Sequence, residues 1–237
     1  MDRARVVILF DIDGTLVDCG GAGGRSMALA FEERFGRADA CEGIAFGGMT
    51  DRAILRAGLI TISVEPTEQE IDAMIERYLR VLARELPRSP RYRVLDGGRE
   101  LALRCRARGF AVGLGTGNVR AGAQVKLGRA QLWELFEFGG FGCDAEARPR
   151  LLEVGRARGA AHRGWDPARC QTTIIGDTPK DIAAAHAIGA RCLAVTTGRF
   201  DRSALEAAGA DLVVDSLASA EAAEALDAWT PDVSEGA

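Results

Sequence analysis

The sequence predicts an α/β protein whose core is a doubly wound parallel sheet, with an α-helical domain inserted near its N-terminus. Short apolar runs alternate with helical patterns from Val94 onwards, which is typical of parallel strands joined by crossover helices. The first apolar run, residues 6–10, has no polar residue on either face, as in a strand buried on both sides. Residues 18–92 carry helical patterning and no strong strand signal. We therefore assign residues 1–17 and 93–237 to the core and residues 18–92 to the insertion.

Each predicted element depends on a local pattern of apolar, capping and terminating residues. In the insertion, apolar residues recur every four positions over residues 26–35 and Gly36 follows, which predicts a helix that begins after a flexible glycine-rich segment at residues 19–24. A capping box at residues 67–70 begins a long amphipathic helix, whose apolar face is formed by Ile71, Met74, Ile75, Tyr78 and Leu82. Helices of the core are predicted at residues 99–108, 121–129, 149–158 and about 179–188, with a capping box at 203–206. Its later strands are predicted at residues 110–114, 172–175, 192–196 and 212–214.

Composition and charge limit the class of protein. The chain has 237 residues, of which 47% are apolar, and a net charge of −4 with acidic and basic residues interspersed, so it offers no basic surface for nucleic acid. No apolar run approaches the ~18 residues of a membrane span, and the N-terminal run is too short for a signal peptide. The six cysteines are dispersed and are expected to be reduced core thiols. We expect a cytoplasmic enzyme, monomeric or homodimeric, without membrane or nucleic-acid partners.

Two aspartates directly follow the first strand and are separated by one residue. Because open α/β sheets bind ligands at the carboxyl ends of their strands, we expect Asp11 and Asp13 at a functional site. Two carboxylates that close repel each other unless a cation neutralises them, and Mg²⁺ prefers carboxylate, phosphate and water oxygens. Gly14 permits a sharp turn after the strand, and Thr15 offers a hydroxyl nearby. The alternative is a strand followed by an Asp-Gly turn without chemistry.

Two further predicted strands end in residues that suit phosphate or metal binding. Thr116, Gly117 and Asn118 follow one strand, where a hydroxyl and free N–H groups can hold phosphate oxygens; a dinucleotide fingerprint would require glycine in place of Asn118. Asp177 ends another strand, and Asp181 follows four residues later, from where it can face the same site. Aspartate is also favourable in the first turn of a helix without any metal, so both interpretations of Asp181 stay open.

These motifs, in this order, resemble the signatures of the haloacid dehalogenase-like hydrolases, most of which are phosphatases. Residues 11–17 match the DxDGT(L/V) signature, Thr116 matches the serine or threonine that ends the second strand, and residues 176–181 match GDxxxD. A helical cap after the first signature, with a Gly-x-Thr loop at residues 48–50, resembles the phosphoglycolate phosphatase-like branch. The resemblance implies a HAD-like Rossmannoid core, a helical cap and a Mg²⁺-dependent phosphatase.

The resemblance also implies a basic residue that neutralises the nucleophile and the phosphate, and two residues fit. Lys126 lies eight residues beyond Asn118, on the following helix, whereas Arg148-Pro149 resembles the more usual Lys-Pro of the family with arginine substituted. Only two of the 30 basic residues are lysines, Lys126 and Lys180. This scarcity favours Lys126, because lysine supplies a compact point charge. Either residue can instead be an ordinary solvated helix charge.

The family mechanism assigns a role to each matching residue. Asp11 attacks the phosphorus and becomes an aspartyl-phosphate, while Asp13 protonates the leaving alcohol and then activates water. Mg²⁺ is held by Asp11, Asp177 and the main-chain oxygen of Asp13, with Asp181 as a further candidate ligand. The phosphate is contacted by Thr15, Thr116, Gly117, Asn118 and either Lys126 or Arg148.

In the cap, Thr50 and Arg52 are candidate substrate contacts. Arg52 suits a substrate carboxylate, although an ordinary surface arginine is the alternative. The implied substrate is a small phosphorylated metabolite, and phosphoglycolate, small sugar phosphates and nucleotides all stay open.

A phosphomutase of the same fold is the nearer rival to this function. A phosphonatase would need a lysine in the cap, and residues 18–92 contain none. A catalytically silent binding module is the farther rival, and it is disfavoured because every charged role of the family mechanism is filled.

Overall fold

The computed structural model describes residues 5–229 of the protein. Its strands are β1 Val6–Phe10, β2 Val17–Asp18, β3 Arg93–Val94, β4 Ala111–Gly115, β5 Gly139–Gly140, β6 Gln171–Gly176, β7 Arg191–Val195 and β8 Leu212–Val214. Its α-helices are α1 Ala22–Phe35, α2 Asp51–Thr61, α3 Glu68–Glu85, α4 Gly98–Ala107, α5 Arg120–Arg129, α6 Arg148–His162, α7 Pro179–Ala187, α8 Arg202–Ala207 and α9 Ala220–Trp229. None of the helices in this range is both long enough and apolar enough to span a membrane.

Within residues 5–229, six parallel strands form one sheet in the order β5–β4–β1–β6–β7–β8. β1 pairs with β4 on one side and with β6 on the other. All five residues of β1 are fully buried, as expected for a strand that is covered on both faces. The predicted fold class is confirmed. After β1, the chain adds β4 and β5 on one side of this strand and then β6, β7 and β8 on its other side. The carboxyl ends of β1, β4 and β6 therefore form a topological switch point, where α/β sheets bind ligands.

Helices α1, α2 and α3 lie between β2 and β3 in sequence and form the cap. β2 and β3 pair with each other in antiparallel fashion, so the chain leaves the core and returns to it at one narrow ribbon. α1 packs on α3, and both contribute fully buried side chains such as Phe31 and Met74. The boundaries after residues 17 and 92 lie at this ribbon, and we propose residues 18–92 as the cap domain.

The long cap helix α3 begins as the sequence predicts, with one difference at its N-terminus. The Thr67 side chain accepts a hydrogen bond from the Glu70 N–H (3.2 Å), which is half of a capping box. The Glu70 carboxylate does not close the box. It accepts a hydrogen bond from Arg34 on α1 (2.7 Å). The Glu70 side chain therefore ties two cap helices together.

Two local predictions differ from the structure, and one strand, β5, was not predicted. α1 begins at Ala22 rather than at residue 26, because Gly21 (φ +77°) caps it and the following glycines continue as helix. α8 is capped by Asp201, whose side chain accepts the Ala204 N–H (2.8 Å), and not by Ser203. β5 consists of two glycines and has no side-chain pattern for a sequence prediction to find.

The packing of α2 on α1 generates a stability prediction. A Cβ at Gly58 of α2 would lie 2.6 Å from the ring of Phe31, which is fully buried and cannot move away. We expect Gly58→Ala to destabilise the protein by about 1–3 kcal/mol in urea unfolding. Gly128→Ala in α5 is the matched control: its Cβ would meet nothing within 4 Å, so the better helix propensity of alanine should stabilise by about 0.5 kcal/mol. Equal stability of the two variants would contradict this packing.

Candidate active site

The switch point brings three aspartates into one buried cluster. Asp11 follows β1, Asp177 follows β6, and Asp181 lies in the first turn of α7. Each offers one carboxylate oxygen, and these oxygens lie within 4.8 Å of one another. The residues are 6%, 5% and 0% exposed, respectively. We call this group the acidic cluster.

Arg148 lies against the acidic cluster and partly neutralises it. Its Nη2 donates to Asp11 Oδ2 (2.8 Å) and also to the carboxylate of Asp181. Burial disfavours the guanidinium charge, but the adjacent Asp11 and Asp181 outweigh burial and raise the pKa of Arg148. Three carboxylates and one guanidinium leave a formal charge of −2 in a buried space.

Burial and the neighbouring negative charge raise the pKa values of two of these carboxyl groups, Asp11 and Asp177. Burial raises the pKa of Asp11 to about 6, although Arg148 opposes the rise. Burial also raises the pKa of Asp177 well above its usual range, and the neighbouring Asp181 and Asp11 add to the rise. Buried carboxylates that repel each other in this way are stabilised by a bound cation.

Glycines give the Asp177 carboxylate the room that it occupies. A Cβ at Gly14 would lie 2.3 Å from Asp177 Oδ2, and a Cβ at Gly198 would lie 1.8 Å from the same atom. Gly14 also has φ +83°, which favours glycine. Thr15 Oγ1 lies 3.4 Å from Asp177 Oδ1 and donates to it. The sequence motif contained Gly14, but no sequence signal pointed to Gly198.

Asp13 lies outside the acidic cluster and has its own cation. Lys126 Nζ donates to Asp13 Oδ2 (2.6 Å) and to Asn118 Oδ1 (2.6 Å), while Asn118 Nδ2 donates to Asp13 Oδ2 (2.9 Å). Removal from water would raise the pKa of Asp13, but Lys126 and Asn118 outweigh this effect and lower it. The Asp13 side chain is 44% exposed and lines a cavity between the core and the cap, whereas the Lys126 side chain is 5% exposed.

The two candidate basic residues therefore do not compete for one position. Lys126 contacts Asp13, and Arg148 contacts Asp11. Both are buried and paired, so neither is an ordinary solvated helix charge. Sequence reasoning treated them as alternatives because spacing alone does not show which aspartate each one reaches.

The predicted phosphate contacts surround Asp11. Thr116 is fully buried, hydrogen-bonds through its side chain to Asp11, and accepts Asn118 Nδ2 (2.8 Å). Gly117 lines the cavity and accepts the Asp51 N–H from the cap (2.9 Å). A Cβ at Gly117 would lie 2.2 Å from Met49 O, so glycine allows the cap to approach.

The two predicted substrate contacts in the cap, Thr50 and Arg52, are both engaged in contacts within the protein. Thr50 caps α2, because its side chain accepts the Ala53 N–H (3.2 Å). Arg52 does not have the position expected of a substrate contact. Its guanidinium pairs with Asp72 (2.5 Å) and Glu68, and it is not among the residues that line the cavity. The structure gives no support to Arg52 as a contact to a substrate carboxylate, because acidic side chains of the cap already hold it.

A cavity of about 310 Å³ lies between the core and the cap. Asp11, Asp13 and Asp177 border it on the core side, and Met27, Phe46 and Ile54 border it on the cap side. Asp51 and Tyr78 are polar cap residues in its wall that sequence reasoning did not assign to the site. Asp51 directly follows the predicted Gly-x-Thr loop, which was a usable signal. Tyr78 was assigned only to the apolar face of a helix.

Comparisons with known proteins agree with this fold. A model of the HAD-hydrolase-like family matches residues 152–220. The chain is 30% identical over 211 residues to a phosphoglycolate phosphatase of Synechococcus elongatus, covering 88% of this chain and 92% of the relative. It is 27% identical over 219 residues to the probable phosphatase IndB of Dickeya dadantii, covering 89% and 90%. A crystal structure of a predicted phosphoglycolate phosphatase from Haemophilus somnus superposes with a TM-score of 0.66 at 19% identity, covering 96% of this chain and 100% of that one.

The sheet order, the helical cap and the aspartates at the switch point define a hydrolase of the haloacid dehalogenase-like superfamily, and the chain belongs to it. Within that superfamily it belongs to the phosphoglycolate phosphatase-like branch, and it is a phosphatase.

The close approach of Gly14 and Gly198 to the Asp177 carboxylate leads to a prediction about activity. We expect Gly198→Ala to lower kcat/KM for an aryl phosphate by roughly 100-fold, because the new methyl group must displace the Asp177 carboxylate. Steady-state kinetics measures the loss, and circular dichroism checks that the variant is folded. Gly128→Ala, whose Cβ meets nothing within 4 Å, is the control and should keep full activity. Wild-type activity in Gly198→Ala would show that the position of Asp177 is unimportant.

Proposed function

We propose that this phosphatase hydrolyses a small phosphorylated metabolite with the aid of Mg²⁺ and through an aspartyl-phosphate on Asp11. The acidic cluster carries the proposal. Its aspartates come from separate elements, they are buried together, and Arg148 leaves a formal charge of −2 uncompensated. This charge matches one divalent cation.

The donor set of the cluster fits Mg²⁺, which prefers carboxylate oxygens together with phosphate and water. Asp11 and Asp177 are the strongest candidate ligands, and the family resemblance adds the main-chain oxygen of Asp13. Both oxygens of Asp181 already accept hydrogen bonds: Oδ2 from the Thr178 N–H (3.1 Å) and hydroxyl, and Oδ1 from Arg148. When bound, Mg²⁺ would supply positive charge to the cluster and to a phosphate oxygen.

The contacts of Asp11 support its proposed role as the nucleophile. Arg148 and the Thr116 side chain both hydrogen-bond to its carboxylate, which favours the ionised form required for attack. The carboxylate oxygen forms a bond to phosphorus while the ester P–O bond breaks, and the phosphoryl group remains on Asp11. Arg148 then neutralises charge beside the transferred group.

The contacts of Asp13 support its proposed role in exchanging protons with the leaving group and with water. It faces the cavity and is held in position by Lys126 and Asn118. In the first step it donates a proton to the departing alkoxide oxygen. In the second step it accepts a proton from the water that attacks the aspartyl-phosphate, the bond between phosphorus and the Asp11 oxygen breaks, and free phosphate leaves. Because Lys126 and Asn118 outweigh burial and lower the pKa of Asp13, the second role is the more favourable of the two in the free enzyme.

Substitution of the nucleophile tests the mechanism. We expect Asp11→Asn to lower kcat for an aryl phosphate at least about 1000-fold and to prevent labelling of the protein by substrate phosphate, because an amide oxygen is a poor nucleophile. Asp18→Asn is the matched control: Asp18 also lines the cavity, but it is 40% exposed and pairs with Arg93.

Retention of most activity by Asp11→Asn would reject Asp11 as the nucleophile. Transfer of the phosphoryl group to a second hydroxyl, without release of free phosphate, would instead identify a phosphomutase.

The metal site can be tested without activity. In metal-stripped protein, we expect Mg²⁺ at 100 times its dissociation constant to increase the free energy of unfolding by about 2.7 kcal/mol, because the ligand binds only the folded state. Thermal unfolding with increasing Mg²⁺ measures the effect. Asp177→Asn should abolish it, whereas Asp18→Asn should keep it. An equal response in both variants would contradict binding at the acidic cluster.

A further inference from the structure

We propose that Tyr78 and Asp51 form a hydroxyl-binding subsite in the cap, which selects phosphate esters of polyols or sugars over esters that carry a carboxylate. The inference rests on the proposed function, which places the phosphoryl group at Asp11 on the core side. The leaving group of the substrate then extends towards the cap wall, where Tyr78 and Asp51 lie.

Tyr78 presents a hydroxyl that lacks a partner within the protein. It is fully buried on α3, it lines the cavity, and its Oη has no hydrogen-bond partner in the part of the chain that the structure describes. A buried hydroxyl without a partner is unfavourable, so a ligand that accepts its hydrogen bond would relieve this cost.

Tyr78 Oη lies close to the ammonium of Lys126. A Cβ at Gly23 would lie 3.9 Å from Tyr78 Oη and 3.6 Å from Lys126 Nζ, so both groups lie beside Gly23. Gly23 lies inside α1, where glycine is unfavourable, and a side chain there would fill the position next to both groups. A leaving group beside Asp13 and Lys126 would therefore extend towards Tyr78.

Asp51 supplies the complementary acceptor. Its Oδ2 accepts the Val119 N–H (2.9 Å), and its own N–H donates to Gly117 O (2.9 Å), so the core holds it rigidly. Its second carboxylate oxygen has no hydrogen-bond donor within residues 5–229, and the residue lines the cavity. A donor from Tyr78 and an acceptor from Asp51 together match a hydroxyl group, which both accepts and donates.

The rest of the cap wall disfavours a carboxylate. Of the described residues between 18 and 92, those that line the cavity include no lysine or arginine. Asp51 would repel a carboxylate, and Lys126 already pairs with Asp13 and Asn118. Arg93 lines the cavity with a largely exposed side chain that pairs with Asp18, and Arg199 is exposed. Substrate specificity should therefore differ from that named for the phosphoglycolate phosphatase relative.

Three esters test the subsite in the full chain with Mg²⁺: glycerol 3-phosphate, phosphoglycolate and an aryl phosphate whose leaving group has neither an alkyl hydroxyl nor a carboxylate. We expect kcat/KM for glycerol 3-phosphate to exceed that for phosphoglycolate by about tenfold or more, because a like charge placed against Asp51 is costly.

Two variants separate the contributions. Tyr78→Phe should lower the ratio of kcat/KM for glycerol 3-phosphate to that for the aryl phosphate by roughly 3- to 10-fold, which corresponds to one neutral hydrogen bond. Asp51→Asn keeps an acceptor and loses the charge, so it should raise phosphoglycolate relative to glycerol 3-phosphate by a similar factor. Ser26→Ala is the control, since it removes another buried hydroxyl without a partner, on α1, that does not line the cavity.

The outcomes distinguish the subsite from the proposed function. A wild-type preference for phosphoglycolate, or a Tyr78→Phe ratio equal to that of Ser26→Ala, would overturn the subsite and leave the phosphatase mechanism intact. If none of the three esters is hydrolysed, the proposed function fails and the subsite fails with it. Melting temperatures close to that of the wild type confirm that each variant is folded.

Discussion

The electrostatic repulsion between three buried carboxylates is the constraint on which the rest of this structure depends. Asp11, Asp177 and Asp181 reach one small space from β1, β6 and α7, and burial raises the pKa values of Asp11 and Asp177. Arg148 bridges two of them, a task that suits the planar fork of a guanidinium. The remaining charge is available for a ligand, and this incomplete neutralisation supports the proposed cation site.

The cap is held against the same strand ends that position the acidic cluster. The Asp51 backbone and side chain bond to Gly117 O and the Val119 N–H, within the loop that follows β4. Arg56 of α2 also pairs with Glu146, just before α6 (2.6 Å). The loop after β4 therefore borders the proposed phosphate site on one side and supports the cap on the other. The proposed substrate selection by the cap and the proposed chemistry at the core thus share one structural support.

The sequence was most informative where a local pattern determines both structure and chemistry. The apolar run of β1 and the aspartates after it could be located because a continuous run of apolar residues ends abruptly at charged ones. Gly198 could not be found, since its role is to leave room for a side chain 21 positions earlier in the chain. Tyr78 was placed correctly on the inner face of α3, but periodicity does not show that this face meets a cavity.

The two lysines illustrate the same limit from another direction. Their scarcity drew attention to position 126, but it could not show what the ammonium contacts. In the structure, Lys126 Nζ fits between Asp13, Asn118 and the space kept open by Gly23, where a compact charge is required. Arg148 serves a different aspartate. Because each aspartate of the DxD motif has its own cation, the charge of Asp11 and the proton affinity of Asp13 are set separately, which a single shared basic residue could not achieve.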